Sequence, residues 1–140
     1  MDIHFTLNTK AMPLNMAYST NFKSGRRFKS QKYVLFESKV LRELLQYFPE
    51  IKKFNSFYDP KLHYLTAEYV FYHKIFNVGD GLIGKTSGDT SNLIKTVEDC
   101  IFKKLTADDS QIMSMQASKV HSDNERIEVK LSIKDISLIK

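Results

Sequence analysis

The stretch from Asp89 to Asp109 gathers Asp89, Ser91, Asn92, Lys95, Asp99, Asp108 and Asp109 on or beside one expected helix. Carboxylate and hydroxyl oxygens are hard donors of the kind that hold Mg²⁺. Lys95, one turn into the helix, places an ammonium where charge develops on a reacting phosphate. Such a set can hold a divalent cation beside an ammonium that meets phosphate charge. The ordinary alternative makes Asp89 an N-cap and Asp108 and Asp109 turn residues. A helix of this length spans about 20 Å, so acids at its two ends meet only if the chain doubles back along it.

The segment just before carries a competing pattern. Gly79, Gly84, Lys85 and Thr86 fit G-x-x-x-x-G-K-[ST], the loop that cradles nucleotide phosphates, and they follow an expected strand. A phosphate loop, however, opens a helix at its lysine and hydroxyl residue, so that amides point at the anion. Here Ser87, Gly88 and Asp89 come next, and only 54 residues remain after Thr86 to supply a metal-holding aspartate. Four of the five glycines lie between Gly79 and Gly88, and a glycine-rich loop yields this pattern readily by accident. Nucleotide binding stays as a lesser alternative, and the expectation is no nucleotide cofactor.

The elements that must position these residues follow from periodicity. Ile3, Phe5 and Leu7 alternate with polar neighbours as in a half-buried strand. The next segment, with Pro13 and Gly25, reads as a long loop. From Ser30, a candidate N-cap, residues 31–48 carry helical spacing, and the helix is expected to stop before "PEIKKFNSFYDPK". "LHYLTAEYVFYHKIF" reads as a long central strand. A helix from about Ser91 to Leu105 turns Leu93, Ile94, Val97, Cys100, Ile101 and Leu105 to the core and Asn92, Lys95 and Asp99 away from it. "SQIMSMQASKV", the turn "HSDNE" and "RIEVKLSI" are expected to close the chain as a hairpin. The order β-α-β-α-β-β predicts an α/β (α+β) fold, a single domain over residues 1–140 with a mixed sheet of about four strands and two main helices packed on it.

The 140 residues suit one domain, and 42% hydrophobic with 26% charged residues is a soluble composition. No apolar run is long enough to cross a bilayer. The start, Met1-Asp2-Ile3-His4, has no basic and apolar leader, and Cys100 alone allows neither an internal disulfide nor a cysteine zinc cluster. The expectation is a cytoplasmic protein with no membrane partner. The four histidines lack zinc spacing. The net charge of +5 is uneven: Ile3 to Phe36 holds six basic residues and no acidic one, while 15 basic and 15 acidic residues balance from Glu37 on. Lys23, Arg26, Arg27, Lys29 and Lys32 crowd into "KSGRRFKSQK", a patch that attracts a polyanion by releasing its counterions. A solvated loop is the plainer reading of the same residues. Phe22 and Phe28, interleaved with the patch, are able either to stack on exposed bases or to pack.

"DTSNLIKTVEDCIF…LTADDSQI" resembles the signature of RusA-type Holliday junction resolvases: D-x-D-N-L-x-K, a helix with a later aspartate, then D-D-[AS]-Q-[VI]. The likeness extends to a strand and the loop "MPLNMAY" near the start, a basic loop and helix, a long strand, and a closing hairpin carrying Lys119. The resemblance implies a homodimeric, Mg²⁺-dependent endodeoxyribonuclease, with Mn²⁺ as a possible substitute, of a kind often carried by phages and prophages. Such enzymes cut four-way DNA junctions symmetrically, in a bacterial or phage-infected cell. Position by position it implies Asp89, Lys95 and Asp109 as catalytic, with Asp89, Ser91, Asp108 and Asp109 around the metal and Asn92 and Asp99 in support. Lys23, Arg26, Arg27, Lys29, Lys32 and Lys85 would then contact DNA. Ser91 departs from the pattern, standing where the second aspartate is found, so the resemblance also admits a junction-binding protein with weakened catalysis. Lys85 alone stands where relatives have a dense run of arginines.

Overall fold

The computed structural model describes residues 1–85 and 88–140. Ile3, Phe5 and Leu7 are buried on one side of β1 (Asp2–Leu7), as alternation requires. The expected central strand is β4 (His63–His73), which buries Leu65, Ala67, Tyr69, Phe71 and His73 on that same side. With β5 (Ile112–His121) and β6 (Arg126–Asp135) these strands form a four-stranded sheet in the order β1-β6-β4-β5. Only the β4–β5 pair is parallel. The sheet is therefore mixed, and the predicted fold class is the observed one.

The expected closing hairpin does not form. β4 lies between β5 and β6, parallel to the first and antiparallel to the second. Residues 122–125 cross the end of β4, a step of two strand spacings or roughly 10 Å, and Ser122 N–H donates to the His73 carbonyl at 3.0 Å to fasten the crossing. β4 then has both backbone edges paired, as buried amides and carbonyls require.

Helices cover one face of the sheet. α1 (Gln31–Leu44) starts at Ser30, whose hydroxyl accepts the Tyr33 N–H at 3.2 Å, and it buries Tyr33, Phe36, Val40 and Leu44. The chain then stays helical, against expectation. After a 3-10 turn at Leu45–Tyr47 comes α2 (Phe48–Phe57), with Pro49 in its first turn and Ile51 and Phe54 in the core. Proline in a first turn has no helical hydrogen bond to lose, so Pro49 opens this helix rather than barring it. α3 (Thr90–Phe102) buries Leu93, Val97, Cys100 and Ile101 as its periodicity predicts, and also Thr96 and Glu98. The expected long loop is also more structured than read. It holds a 3-10 turn at Leu14–Met16 and a small antiparallel hairpin, β2 (Tyr18–Thr20) with β3 (Arg27–Lys29), which is too short to show a period. No helix among the described residues is long and apolar enough to cross a membrane.

Glu37 on α1 ties three elements together. Its carboxylate accepts from Lys29 of β3 at 3.0 Å and from Lys103 past the end of α3 at 2.6 Å. Burial alone would raise its pKa, but the two ammonium groups outweigh that and hold it below the ordinary value of 4.5. Its stabilising contribution is therefore full above about pH 4.5 and lost as the pH falls through the lower folded value. Glu37→Gln should cost about 1 kcal/mol near neutral pH, the upper range for part-exposed pairs. The gap to wild type should narrow as the pH falls below about 4.5, as urea denaturation across that range would read.

Candidate active site

Asp89 occupies the N-cap position of α3, but its side chain makes no capping hydrogen bond. Its backbone carbonyl accepts from Asn92 and Leu93, leaving an exposed carboxylate at the mouth of the helix. Gly88 delivers the chain there with φ +82°, a left-handed conformation that favours glycine. A Cβ at Gly88 would stand 3.1 Å from the Leu93 side chain. Lys119, on the helix-facing side of β5 beside Phe71, donates to the Gly88 carbonyl at 2.7 Å and so fixes the approach to Asp89.

One turn and a half along, Lys95 joins two of the expected acids. Its Nζ lies 3.0 Å from Asp99 Oδ1 and 3.0 Å from Asp109 Oδ2. These two contacts, Asp99 first, hold the ammonium's pKa above its usual range. Asp109 reaches this point because the chain doubles back after α3 through a 3-10 turn, Asp109–Gln111, that leads into β5. Within the turn, Asp108 accepts from the Ser110 N–H at 3.2 Å and from the Ser110 hydroxyl, while the Gln111 side chain accepts the Asp108 N–H at 3.0 Å. Ser110 thereby holds the Asp108 carboxyl below its ordinary value. The Asp-Asp-Ser-Gln run thus divides its labour: Asp108, Ser110 and Gln111 build a cap, and Asp109 projects to Lys95.

Glu98 is a residue the sequence reading missed. It is 6% exposed, and its Oε2 accepts the Tyr69 hydroxyl at 3.0 Å. Burial foremost, with the neighbouring Asp109 carboxylate, raises its pKa, although the Tyr69 hydrogen bond opposes the shift. A signal was present, since Glu98 lies four residues after Ile94 and three before Ile101, on the edge of the core-facing arc.

The structure therefore brings together Lys95, Asp99 and Asp109, with Glu98 behind them. It sets Asp89, Ser91 and Asn92 some 5–9 Å up the same helix by rise per residue. Among the described residues no three His, Cys, Asp or Glu side chains stand close enough to share an ion. The donors fit a hard divalent cation in kind, and in this arrangement Lys95 supplies the positive charge between Asp99 and Asp109. A cavity of about 520 Å³ opens at the mouth of α3, bounded by Met12, Pro13, Asn15, Lys85, Asp89 and Asn92. Its far wall is tied to α3 by the Thr96 hydroxyl, which donates to the Met12 carbonyl at 2.6 Å.

The basic residues divide as well. Lys23, Arg26 and Lys32 are exposed, Arg27 lies over the Tyr18 ring at 4.3 Å, and Lys29 is paired with Glu37. Lys85 is exposed on the cavity rim, and the stretch from Asn77 closes a tight turn, with the Asn77 N–H donating to the Leu82 carbonyl at 2.8 Å. α3 begins at Thr90, five residues after Lys85, which is not how a phosphate loop meets its helix. Thr86, the last position of that pattern, lies outside the described residues.

A family model described as Endodeoxyribonuclease RusA matches residues 11–132. The chain belongs to the RusA endodeoxyribonuclease family. That match runs from the cavity wall before α1 to Ser132 within β6 and so covers every acid considered above. RusA endodeoxyribonucleases act on DNA junctions, which identifies a nuclease whose partner is DNA. A comparison with curated proteins gives no match.

Proposed function

We propose that the protein resolves four-way DNA junctions by symmetric, Mg²⁺-dependent hydrolysis of phosphodiester bonds, acting as a homodimer that sets two sites across a two-fold substrate. The observation that carries this reading is the return of the chain after α3, which lays Asp109 beside Lys95 in a family of endodeoxyribonucleases. Asp89 and Asp109 would hold the ion, helped by Ser91 or by Asp108 once released from its cap. When bound, such an ion polarises the phosphate and lowers the pKa of a water. Lys95 stabilises charge on the phosphoryl oxygens, and Asp99 keeps its ammonium aimed when Asp109 is otherwise engaged. Asn92 orients a ligand at the mouth of α3. Lys119, through the Gly88 carbonyl, holds Asp89 in place. Lys23, Arg26, Arg27, Lys29, Lys32 and Lys85 supply contacts to the DNA backbone that position rather than specify.

With this reading we propose a single domain over residues 1–140 and residence in the cytoplasm. The test is a synthetic four-way junction incubated with protein in Mg²⁺ and in EDTA. Paired nicks in Mg²⁺ and intact junction in EDTA are expected, and cleavage unaffected by EDTA would remove the metal from the proposal. A second reading, a junction binder with weakened catalysis, is favoured by Ser91 and by Asp89 standing about 9 Å along α3 from Lys95, the residue that Asp109 meets. It predicts tight binding with no cleavage at any Mg²⁺ or Mn²⁺ concentration.

A further inference from the structure

The β2–β3 hairpin has features that backbone contacts to DNA do not use. Its tip is built: Asn21 N–H donates to the Arg26 carbonyl at 2.8 Å, Gly25 N–H to the Asn21 carbonyl at 2.8 Å, and Lys23 N–H to Asn21 Oδ1 at 2.9 Å. Gly25 takes φ +69° to close it. Phe22 on this tip is 99% exposed, and Phe28 on β3 beside it is 51% exposed. The two rings, with Thr20, Asn21 and Lys23, border a notch of about 440 Å³, within the range of small-ligand clefts.

The base of the hairpin is rooted. Ser30 N–H donates to the Ala17 carbonyl at 2.8 Å, the Ser30 hydroxyl donates to the Met16 carbonyl at 2.8 Å, and Tyr18 packs edge-on against Tyr33 of α1 at 5.5 Å. The Arg27 guanidinium lies over the same Tyr18 ring at 4.3 Å. A rigid stem therefore carries two aromatic rings into solvent amid Lys23, Arg26 and Arg27. Cationic charge selects a polyanion, and aromatic rings beside it offer a stacking platform to any base that has left its neighbours.

Resting on the nuclease reading above, we propose that Phe22 and Phe28 clamp an unstacked nucleobase of the branched DNA, so that the hairpin recognises the branch and not the duplex. An intact duplex keeps its bases stacked and offers the notch nothing, whereas a branch point presents bases already short of one neighbour. The hairpin also continues from the cavity wall. Six residues separate Met16 from Phe22, a reach of at most about 20 Å. At about 3.4 Å per nucleotide along one strand, the clamped base lies within about six nucleotides of DNA held against Met16 at the cavity wall, which sets the range to search around the cut.

The experiment places 2-aminopurine singly at each position within six nucleotides of the cut in a four-way junction, with a duplex of the same sequence as control. Protein is added in EDTA, and fluorescence and affinity are read together. Wild type should raise the fluorescence at one or two positions of the junction and at none in the duplex. Phe22→Ala should abolish the rise and weaken junction binding roughly fivefold to tenfold, with duplex binding unchanged, and Phe28→Ala should do the same less strongly. Phe57→Ala, which removes an exposed aromatic at the end of α2, should change nothing. A junction that is bound and cut in Mg²⁺ with flat fluorescence, or an unchanged rise with Phe22→Ala, overturns the clamp and leaves the nuclease reading standing. A wild type that binds no junction overturns both.

Discussion

Asp109→Asn should bind a four-way junction as wild type does and cut it about a thousandfold more slowly. The substitution keeps shape and one hydrogen-bonding oxygen while removing the charge that Lys95 meets at 3.0 Å. Removing one group that acts on developing charge costs on the order of 10²–10³ in rate, and loss of a metal-holding carboxylate places this variant at the upper end. Binding should survive, because the exposed lysines and arginines of the hairpin and α1 are untouched. Stability should change little. Lys95 retains Asp99 at 3.0 Å, and Glu98 loses the neighbouring carboxylate that now raises its pKa, leaving burial as the main cause of that shift. Gel shifts in EDTA and nicking rates in Mg²⁺ separate the two properties. Wild-type cutting by Asp109→Asn would place the reacting phosphate elsewhere and make the Lys95–Asp109 pair structural.

Why one end of this site could be read from sequence and the other could not is a matter of contact range. α3 is local: its core-facing arc and the Lys95–Asp99 pair, four residues apart, follow from helical geometry alone. β1 and β4 declare themselves by alternation and by a dense β-branched and aromatic run. The meeting of Asp109 with Lys95 depends on a reversal after α3, and the burial of Glu98 depends on Tyr69, twenty-nine residues away. Neither contact leaves a periodic trace. The insertion of β4 between β5 and β6 is of the same kind. "HSDNE" carries turn residues that suit a hairpin, and nothing local reveals that the turn spans a third strand.

α2 failed to be read for a different reason. Ile51, Phe54 and Tyr58 recur at helical spacing and are buried, so the period is legible in "PEIKKFNSFYDPK", and Pro49 in the first turn starts that helix. The hairpin at β2 and β3 has only three residues per strand, below the length at which alternation means anything. Its aromatic and basic residues were visible in sequence. Their shared notch was not, because the rooting of Tyr18 on Tyr33 and of Ser30 on Met16 and Ala17 decides which side chains the tip exposes.

Ser91→Asp should lower the Mg²⁺ concentration needed for half-maximal cleavage by about tenfold to thirtyfold. Ser91 is exposed in the first turn of α3, two residues after Asp89. A unit negative charge roughly 4 Å from a divalent ion is worth about 2 kcal/mol even at the dielectric of water, or about thirtyfold; salt reduces this toward tenfold. The new carboxylate also sits at a helix N-terminus, where negative charge is favourable by about 0.3–1 kcal/mol, so the variant should melt no lower than wild type. The first turn has no acid of its own to repel it: Asp89 is the cap residue, and positions 90–92 are Thr, Ser and Asn. The same variant discriminates between a competent enzyme and a weakened one. If wild type already cuts, the Mg²⁺ curve should shift with its plateau nearly unchanged; if wild type only binds, Ser91→Asp should produce cleavage where there was none. A curve and plateau both identical to wild type would mean that position 91 does not face the ion, and Asp108 would then be the residue to neutralise next.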